Sequence, residues 1–264
     1  MTEAMNPFQL PETLLSRVED AGINASAPPQ QRWVDGWLLR FNPGKAKRAR
    51  CVQAVANGRL PLDERLALCQ AVFAEAGLPA VVRLTPFSLP DGLDGQLAAR
   101  GWHTLDDTRV MVAPQCPSQA EPLPGDLRLE LLAPADYAET VGALRGSPPE
   151  QRVAHAQRLL ASPVPYQGWA LRRPDDGLVL ACGQTAAEAE LVGLYDVFTH
   201  PMARGQGLAR KLCAHLLAQA HAAGARVAYL QVEADNDPAR HIYRRLGFAD
   251  AYAYHYRTPV QGAH

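Results

Sequence analysis

The sequence has no cysteine pattern of the kind that defines a disulfide framework or a zinc site. Its five cysteines are odd in number and include no Cys-x-x-Cys pair; they are Cys51, Cys69, Cys116, Cys182 and Cys213. Disulfide scaffolds and structural zinc sites need paired or closely spaced cysteines. The histidines show no metal-ligand spacing either. We therefore expect reduced thiols and no metal site.

Long apolar runs and an excess of charge of one sign are also missing. No segment approaches the roughly 18 continuous apolar residues that a membrane-spanning helix needs. The N-terminus carries acids and prolines where a signal peptide has a basic start and an apolar run. The 26 basic and 27 acidic residues leave a net charge of −1, which gives no basic footprint for nucleic acid. We expect a cytoplasmic protein without a nucleic-acid or membrane partner.

The chain does contain enough apolar sequence for two domains of ordinary size. Of its 264 residues 47% are hydrophobic, and a proline-rich stretch near residue 120 divides it. This predicts a first domain over 1–115, a linker over 116–125 and a second domain over 126–264. The two parts end alike, in "VVRL…LAARGW…TRVMV" and "AYLQVEA…YRRLGF…AYHYR". This echo favours a duplicated fold, although a glycine-capped helix with an aromatic after it is also a common ending.

Hydrophobic periodicity predicts strands and helices in both parts. In the first part we predict strands over GWLLRF, CVQAVA, AVVRL and DTRVMVA, and helices over LDERLALCQAVFAEAG and LDGQLAARG. In the second part we predict helices over PEQRVAHAQRLLAS, after RGQG and from about Pro238 to Leu246, and strands over LRLELL, WALRR, LVLACGQTA, AELVGLYDVFT, RVAYLQVEA and AYAYHYR. The segment PDDG between WALRR and LVLACGQTA is typical of a β-hairpin turn.

The stretch "PMARGQGLARKLC" places two glycines directly before a helical pattern. Apolar residues recur at every fourth position from Leu208 to Ala220, which predicts an amphipathic helix. The first turn of a helix leaves about four N–H groups unpaired and carries roughly half a positive charge. Gly205 and Gly207 bring no side chain that would keep a ligand from those groups, and Arg204 adds charge. The pattern predicts an anion site suited to a pyrophosphate.

Two common phosphate-binding loops do not fit this stretch. No Lys-Ser or Lys-Thr follows the second glycine, as a Walker A loop requires, and Arg210 stands where a Rossmann loop has its third glycine. Instead, the region from about 126 to 257 resembles the GNAT superfamily of acyl-CoA N-acyltransferases. The family motif (Q/R)-x-x-G-x-(G/A) is matched by Arg204, Gly207 and Ala209, with "DVFTHP" before it and "VEADNDPARHIYRRLGF" after it. The first part is similar to a degenerate copy of this fold that lacks the motif.

The resemblance implies an α/β (α+β) fold with a mixed, mostly antiparallel twisted sheet flanked by helices, in two tandem domains. It also implies acetyl-CoA as cosubstrate, with its pyrophosphate on the motif amides and its pantetheine arm paired like an added strand. The implied cofactor-binding residues are Val197, Phe198, Thr199, Arg204, Gly205, Gln206, Gly207, Leu208, Ala209, Asn236 and Tyr243. Alternatively, Asn236 and Asp237 only begin a helix, with Asp237 as N-cap before Pro238.

The same resemblance implies that Tyr243 is the general acid, because the leaving CoA thiolate needs a proton. A general base must take a proton from the attacking amine, and Glu233 is the first candidate because it lies on the strand before Asn236. Asp196, Glu190 and Glu188 are rival bases on the preceding strand, and each of the four acids can equally be a solvated surface carboxylate.

These assignments predict an N-acetyltransferase that moves an acetyl or short acyl group from acetyl-CoA to a primary amine of a small molecule or peptide by direct attack. The thioester carbonyl would be polarised by the amide of Thr199 or Phe198. The alternative is a non-catalytic CoA-binding sensor or scaffold, and a homodimer is possible in either case. The acceptor pocket is expected among 147–162 and the strand of Tyr252, Tyr254 and Tyr256, whose rings can instead only cover the sheet. The first part can add a wall. Its basic run GKAKRAR is interpreted as a solvated face, an attachment for the 3′-phosphate of CoA or a surface for an acidic partner.

Overall fold

A computed structural model describes residues 10–41, 46–125 and 127–260. Within these ranges the chain forms seven α-helices, which are α1 Glu12–Ala25, α2 Leu62–Glu75, α3 Leu93–Ala99, α4 Pro134–Arg145, α5 Pro149–Ala161, α6 Leu208–Ala222 and α7 Asp237–Arg244. The strands are β1 Gln30–Val34, β2 Trp37–Phe41, β3 Val52–Gln53, β4 Val82–Leu84, β5 His103–Ala113, β6 Arg128–Leu132, β7 Tyr166–Arg172, β8 Val179–Glu188, β9 Leu191–Thr199, β10 Val227–Glu233 and β11 Ala249–Thr258.

The eleven described strands form one continuous sheet in the order β1-β2-β3-β4-β11-β5-β10-β9-β8-β7-β6. Among these neighbours only β3–β4 and β9–β10 run parallel, and the others run antiparallel. The prediction of a mixed, mostly antiparallel sheet flanked by helices is therefore confirmed. The predicted hairpin is also confirmed, since β7 pairs with β8 across the PDDG segment.

The two parts of the chain exchange their last strands. β5, from the first part, pairs with β10 and β11 of the second, and β11 in turn pairs with β4 of the first. Each part otherwise repeats one sequence of elements, with a parallel strand pair joined through a helix: β3–α2–β4 in the first and β9–α6–β10 in the second. The division at 115 and 126 stays a prediction, and the sheet runs across it without interruption.

Helices cover both faces of the sheet. On one face the predicted stripe of α6 is buried, because Leu208, Leu212 and Leu216 are at most 3% exposed and Ala220 packs at the edge of the same cluster. Burial of each leucine side chain contributes about 2 kcal/mol. On the other face α1 packs near Tyr195 and Tyr229. Helices α1 and α4 and strand β1 are additional to the elements predicted from periodicity.

The parallel strands β9 and β10 separate halfway along their length. Their pairing runs from Val227–Leu191 to Leu230–Leu194 and then stops. Beyond that point β9 carries a β-bulge, in which Asp196 adopts a left-handed φ of 50° and two residues face one residue of β8. Bulges re-aim a strand and end its pairing. The result is an opening in the middle of the sheet, directly beside the start of α6.

Candidate active site

The glycine-rich turn leads from β9 into α6 with unpaired backbone donors. Gly205 and Gly207 have φ of 75° and 73°, in the left-handed region, and Gly207 is the N-cap of the helix. Among the described residues, none accepts a hydrogen bond from the backbone amides of Gly205 through Arg210. A row of free amides at the positive end of a helix is an anion site. The pyrophosphate site at this turn stays a prediction, and the turn offers the unpaired amides that such a site needs.

A cleft of about 750 Å³, which we call the turn cleft, extends from this turn along the end of β9 to α7. Of the eleven residues predicted to bind the cofactor, all except Gln206 line it. The side chain of Gln206 instead turns back and donates to the carbonyl of Met202 at 3.4 Å. Arg204 is exposed, and its Nε donates to the carbonyl of Thr199 at 3.4 Å while its guanidinium lies 5.7 Å from the Phe198 ring centroid.

The free edge of β9 faces the turn cleft with its backbone. The His200 amide donates to the Leu180 carbonyl of β8, and Phe198 is aligned with Cys182 of the same strand. Because backbone groups alternate in direction along a strand, Val197 and Thr199 point their amides and carbonyls away from β8, where β10 no longer pairs. The backbone of Phe198 faces β8, and its side chain lines the cleft.

Tyr243 lies where the turn cleft meets the sheet. Its ring packs edge-on against Phe248 with centroids 6.1 Å apart, and no described residue hydrogen-bonds its hydroxyl. Burial raises the pKa of Tyr243 above its ordinary value of 10, and the nearby Cys213 adds to the effect. The phenol is therefore a neutral proton donor over the physiological range. Ala239 and Leu246 on the same segment pack against the core, and Ala239 and Ile242 line the cleft.

The start of α7 differs from the prediction by one residue. Asn236, rather than Asp237, is the N-cap, and its Oδ1 accepts a hydrogen bond from the Ala239 amide at 3.2 Å. An asparagine side chain closes this turn because its oxygen reaches the N3 amide. The Asn236 side-chain nitrogen has no hydrogen-bond partner among the described residues, and Asn236 lines the turn cleft.

A second cavity, of about 440 Å³, lies on the other side of the strand separation and is here called the strand cavity. It shares four residues with the turn cleft, namely Val197, Asn236, Ala239 and Tyr243. Its far wall comes from the first part of the chain and includes Lys47, Arg48, Asp106 and Thr108. A group carried down the turn cleft past Tyr243 thus reaches a separate compartment built by both parts of the chain.

Residues of the basic run and two of the three tyrosines of β11 line the strand cavity. Lys47 and Arg48 of GKAKRAR line the strand cavity and not the turn cleft. The interpretation of this run as an attachment for the 3′-phosphate of CoA therefore gains no support. Gly44 and Lys45 lie outside the described residues. Tyr254 and Tyr256 line the cavity as well, while Tyr252 donates to Glu19 at 2.7 Å and covers the sheet.

The four predicted acids separate clearly by position. Glu233 is exposed, lines the strand cavity and has no ion-pair partner among the described residues. Glu188 accepts a hydrogen bond from Asn24, and Glu190 pairs with Arg17. That pairing lowers the pKa of Glu190 to about 2. Both lie at the β8–β9 turn, outside the two cavities.

Asp196 lines the strand cavity, but it is held in a hydrogen-bonded network. The hydrophobic periodicity of the sequence does not predict this network. Its carboxylate accepts from Arg145 at 2.9 Å and Gln184 at 2.7 Å, and His155 Nε2 lies 3.3 Å away. Burial alone would raise the pKa of Asp196, but His155 and the charge of Arg145 hold it well below its usual range. Tyr137 donates to the Asp196 carbonyl at 3.0 Å. The network fixes the bulge and leaves Asp196 a weak base.

No cluster of His, Cys, Asp or Glu capable of holding a metal ion occurs in the ranges 10–41, 46–125 and 127–260. Over the same ranges, no helix combines the length and the apolar character needed to cross a membrane.

A cleft headed by free helix amides at the separation of two parallel strands, inside this mixed sheet, is the arrangement of the GNAT fold, and the chain is an acetyltransferase with that fold. More narrowly, it belongs to the family described as "Probable histone acetyltransferase Rv0428c C-terminal", whose family model matches residues 15–257.

Individual relatives agree with this placement. The chain is 25% identical over 231 residues to an uncharacterized N-acetyltransferase, YobR, of Bacillus subtilis, covering 86% of this chain and 91% of that one. A GCN5-related N-acetyltransferase from Kribbella flavida has the same fold with a TM-score of 0.70 at 18% identity, over 94% of this chain and 96% of that one. A tandem GNAT protein from the clavulanic acid biosynthesis pathway aligns with a TM-score of 0.63 at 15% identity, over 76% and 70%.

Proposed function

We propose that the protein binds acetyl-CoA in the turn cleft and transfers its acetyl group to a primary amine of a small molecule or peptide held in the strand cavity. The observation that carries this proposal is the row of unbonded amides from Gly205 to Arg210 at the head of a cleft that continues to Tyr243. Backbone amides at a helix start suit the pyrophosphate of CoA. The pantetheine arm would pair with the free edge of β9 at Val197 and Thr199.

The chemistry follows from the groups where the two cavities meet. Glu233 takes a proton from the ammonium group of the acceptor, directly or through water, and the free amine attacks the thioester carbonyl carbon. Amides on the free edge of β9, those of Thr199 or Val197, donate to the carbonyl oxygen as negative charge builds on it. The C–N bond forms, the C–S bond breaks, and Tyr243 protonates the departing thiolate. The attacking nitrogen releases its second proton to water, and Tyr243 regains a proton from water. Both substrates are bound together, so no acyl-enzyme is formed.

The test measures binding and turnover separately. Calorimetry should show one acetyl-CoA per chain, and thiol release with a panel of amines should show acetylation of at least one of them. Tyr243→Phe should retain binding and lose turnover, whereas Tyr252→Phe, which removes a hydroxyl outside both cavities, should keep turnover. Binding without thiol release on any amine would instead support a CoA-binding sensor, and absence of binding would refute both readings.

A further inference from the structure

Some of the charged side chains that line the strand cavity have an ion-pair partner and others have none. Six charged side chains line it: Lys47, Arg48, Asp106, Arg145, Asp196 and Glu233. Four of them form two pairs, because Lys47 Nζ lies 2.9 Å from Asp106 Oδ2 and Arg145 Nη1 lies 2.9 Å from Asp196 Oδ1. The remaining two, Arg48 and Glu233, form no salt bridge within the described part of the chain. The cavity therefore presents one uncompensated cation and one uncompensated anion.

Arg48 is fixed in place by uncharged partners. Its Nη1 donates to Gln231 Oε1 at 2.6 Å, and its guanidinium lies 5.9 Å from the Tyr195 ring centroid. Tyr254 donates to the same Gln231 oxygen at 2.9 Å. A guanidinium has five N–H donors, so most of those of Arg48 remain for a ligand. A partly buried cation without a counter-ion is costly, and a bound anion would relieve that cost.

Strand β10 brings the two unmatched charges to neighbouring positions in the cavity. Gln231, which holds Arg48, and Glu233 are two residues apart on one face of the strand, with their Cα atoms about 6.6 Å apart by the strand rise. A small molecule whose amino group and carboxylate are separated by few bonds fits between two such groups. A polyamine or a lysine side chain within a peptide brings no anion to this position.

We propose that the acceptor is a free amino acid or a closely similar amino-carboxylate, with its carboxylate bound by Arg48 and its amino group facing Glu233. This inference rests on the proposed function and narrows its acceptor class. It also gives the first part of the chain a role at the site, because Arg48 belongs to that part. A guanidinium matches the two oxygens of a carboxylate in a planar, bidentate manner. It also binds phosphate, so the acceptors tested must separate the two anions.

The test compares matched acceptors: the standard α-amino acids, their carboxamides, the corresponding decarboxylated amines, an aminoalkyl phosphate, a polyamine and a histone-tail peptide. The best amino acid is expected to exceed its carboxamide in kcat/KM by about 10- to 100-fold, the range for a charged hydrogen bond. Arg48→Gln should remove that preference by raising KM for the acid, with little change in KM for the carboxamide or in Kd for acetyl-CoA. Arg48→Lys should restore part of it.

The control is Arg50→Gln, which makes the same charge change in the same basic run but outside the cavity. It should leave the preference intact. Equal losses on acid and carboxamide in Arg48→Gln, or a wild-type preference for the phosphate, the polyamine or the peptide, would overturn the inference while leaving the acetyltransferase intact. If acetyl-CoA binds but no amine is acetylated, the proposed function fails. In that case the inference is tested by calorimetry of amino acids binding to the CoA-loaded protein. Binding of an amino acid that is weakened by Arg48→Gln would support the inference, and any other result would overturn it.

Discussion

The two parts of the chain build the same turn and treat it in opposite ways. Between β9 and β10 of the second part, the amides that precede α6 are free. Between β3 and β4 of the first part, the segment before α2 is occupied by the protein itself. The Asp35 carboxylate accepts hydrogen bonds from the amides of Arg59 and Leu60, both at 2.9 Å. Arg65 Nε lies 2.8 Å from the same carboxylate. An internal carboxylate therefore stands where an external anion would bind.

The position of the tyrosine shows the same contrast. Phe248 donates its amide to the Tyr243 carbonyl at 3.1 Å, and Trp102 makes the same bond to Leu97 at 3.1 Å. Tyr243 and Leu97 are thus equivalent positions, each five residues before an aromatic residue that follows a glycine. Leu97 is completely buried and carries no proton donor. The first part keeps the shape of the fold while its own side chains fill the place of the ligand.

In this architecture the segment before the helix can be occupied by an internal carboxylate or left open. Where the chain supplies Asp35, the amides of Arg59 and Leu60 are occupied. Where the chain supplies only Gly205 and Gly207, the turn stays available. The first part is then free to contribute to the site from a distance, as Arg48 does.

The largest effect, a loss of kcat, is expected from removing the proton donor at Tyr243, because the equivalent residue of the first part, Leu97, carries none. Tyr243→Phe should lower kcat by about 100- to 1,000-fold, the usual contribution of a general acid. Acetyl-CoA binding should be unchanged, because the turn amides are untouched. Steady-state kinetics and calorimetry check both statements, and a change confined to KM would argue against proton donation.

The ionisation of the same tyrosine gives a pH prediction. Burial raises the pKa of Tyr243 above 10, so the protonated, active form persists to higher pH than for an exposed phenol. We expect kcat to show no loss from tyrosine ionisation up to about pH 10. A pH–rate profile checks this, and the prediction fails if kcat falls around a lower pH and that fall is absent from the residual activity of Tyr243→Phe.

A smaller effect is expected from placing an internal carboxylate at the open turn. Gly205→Asp should weaken acetyl-CoA binding by about 100-fold, equivalent to about 2.7 kcal/mol, because the carboxylate competes for the amides and repels the pyrophosphate. A Cβ at this position meets no atom within 4 Å, and aspartate and asparagine both tolerate a positive φ better than most residues. Gly205→Asn is the matched neutral control and should lose far less affinity in calorimetry. Equal losses in both variants would show that shape, not charge, governs the turn.

The reverse change in the first part should alter stability rather than binding. Asp35→Asn removes the charge that faces Arg65 and is expected to lower the melting temperature by several degrees without opening a second CoA site. Hydrogen bonds from Leu60 and Arg59 lower the pKa of Asp35 in the folded state. The contribution of the charge is therefore complete well above the ordinary value of 3.8 and is lost as pH falls through the lowered pKa. Melting curves of both proteins should converge at low pH, and titration should still give one CoA per chain.

The smallest effect is expected at the start of α7. Asn236→Ala removes the cap at a cost of about 1 kcal/mol, whereas the corresponding helix α3 begins at Gly92 without any side-chain cap. Asn236→Asp keeps a capping oxygen but removes the side-chain nitrogen, the remaining donor of a residue that lines the turn cleft. Weaker acetyl-CoA binding in both variants would support a ligand contact, and weakening only in Asn236→Ala would assign Asn236 to the cap alone.

Much of the turn cleft could be predicted from sequence because its parts are local. Arg204 to Ala209 are contiguous, and Asn236 and Tyr243 sit at fixed spacing within one short helix. The opposite wall could not be predicted this way. Arg48 meets Gln231 across 183 positions, and no periodicity links such distant residues.

The bulge escaped prediction for a different reason. A strand pattern over AELVGLYDVFT indicates extended backbone but gives no sign that Asp196 turns to a positive φ. That conformation is held by Arg145 and Gln184 from neighbouring elements. Asp35 likewise looks like an ordinary hairpin residue until the fold brings it to the start of α2. Tertiary contacts, not local preference, decide these positions.

The exchanged last strands have a consequence for how the chain is made. β4 pairs with its central neighbour, β11, only after residues 249–258 are synthesised, and β5 stays without β10 until more than a hundred further residues have been made. A ribosome must therefore release nearly the whole polypeptide before either edge is satisfied. Expressing the two parts as separate fragments would leave unpaired strand edges on both, and the native sheet would form only when the two fragments associate.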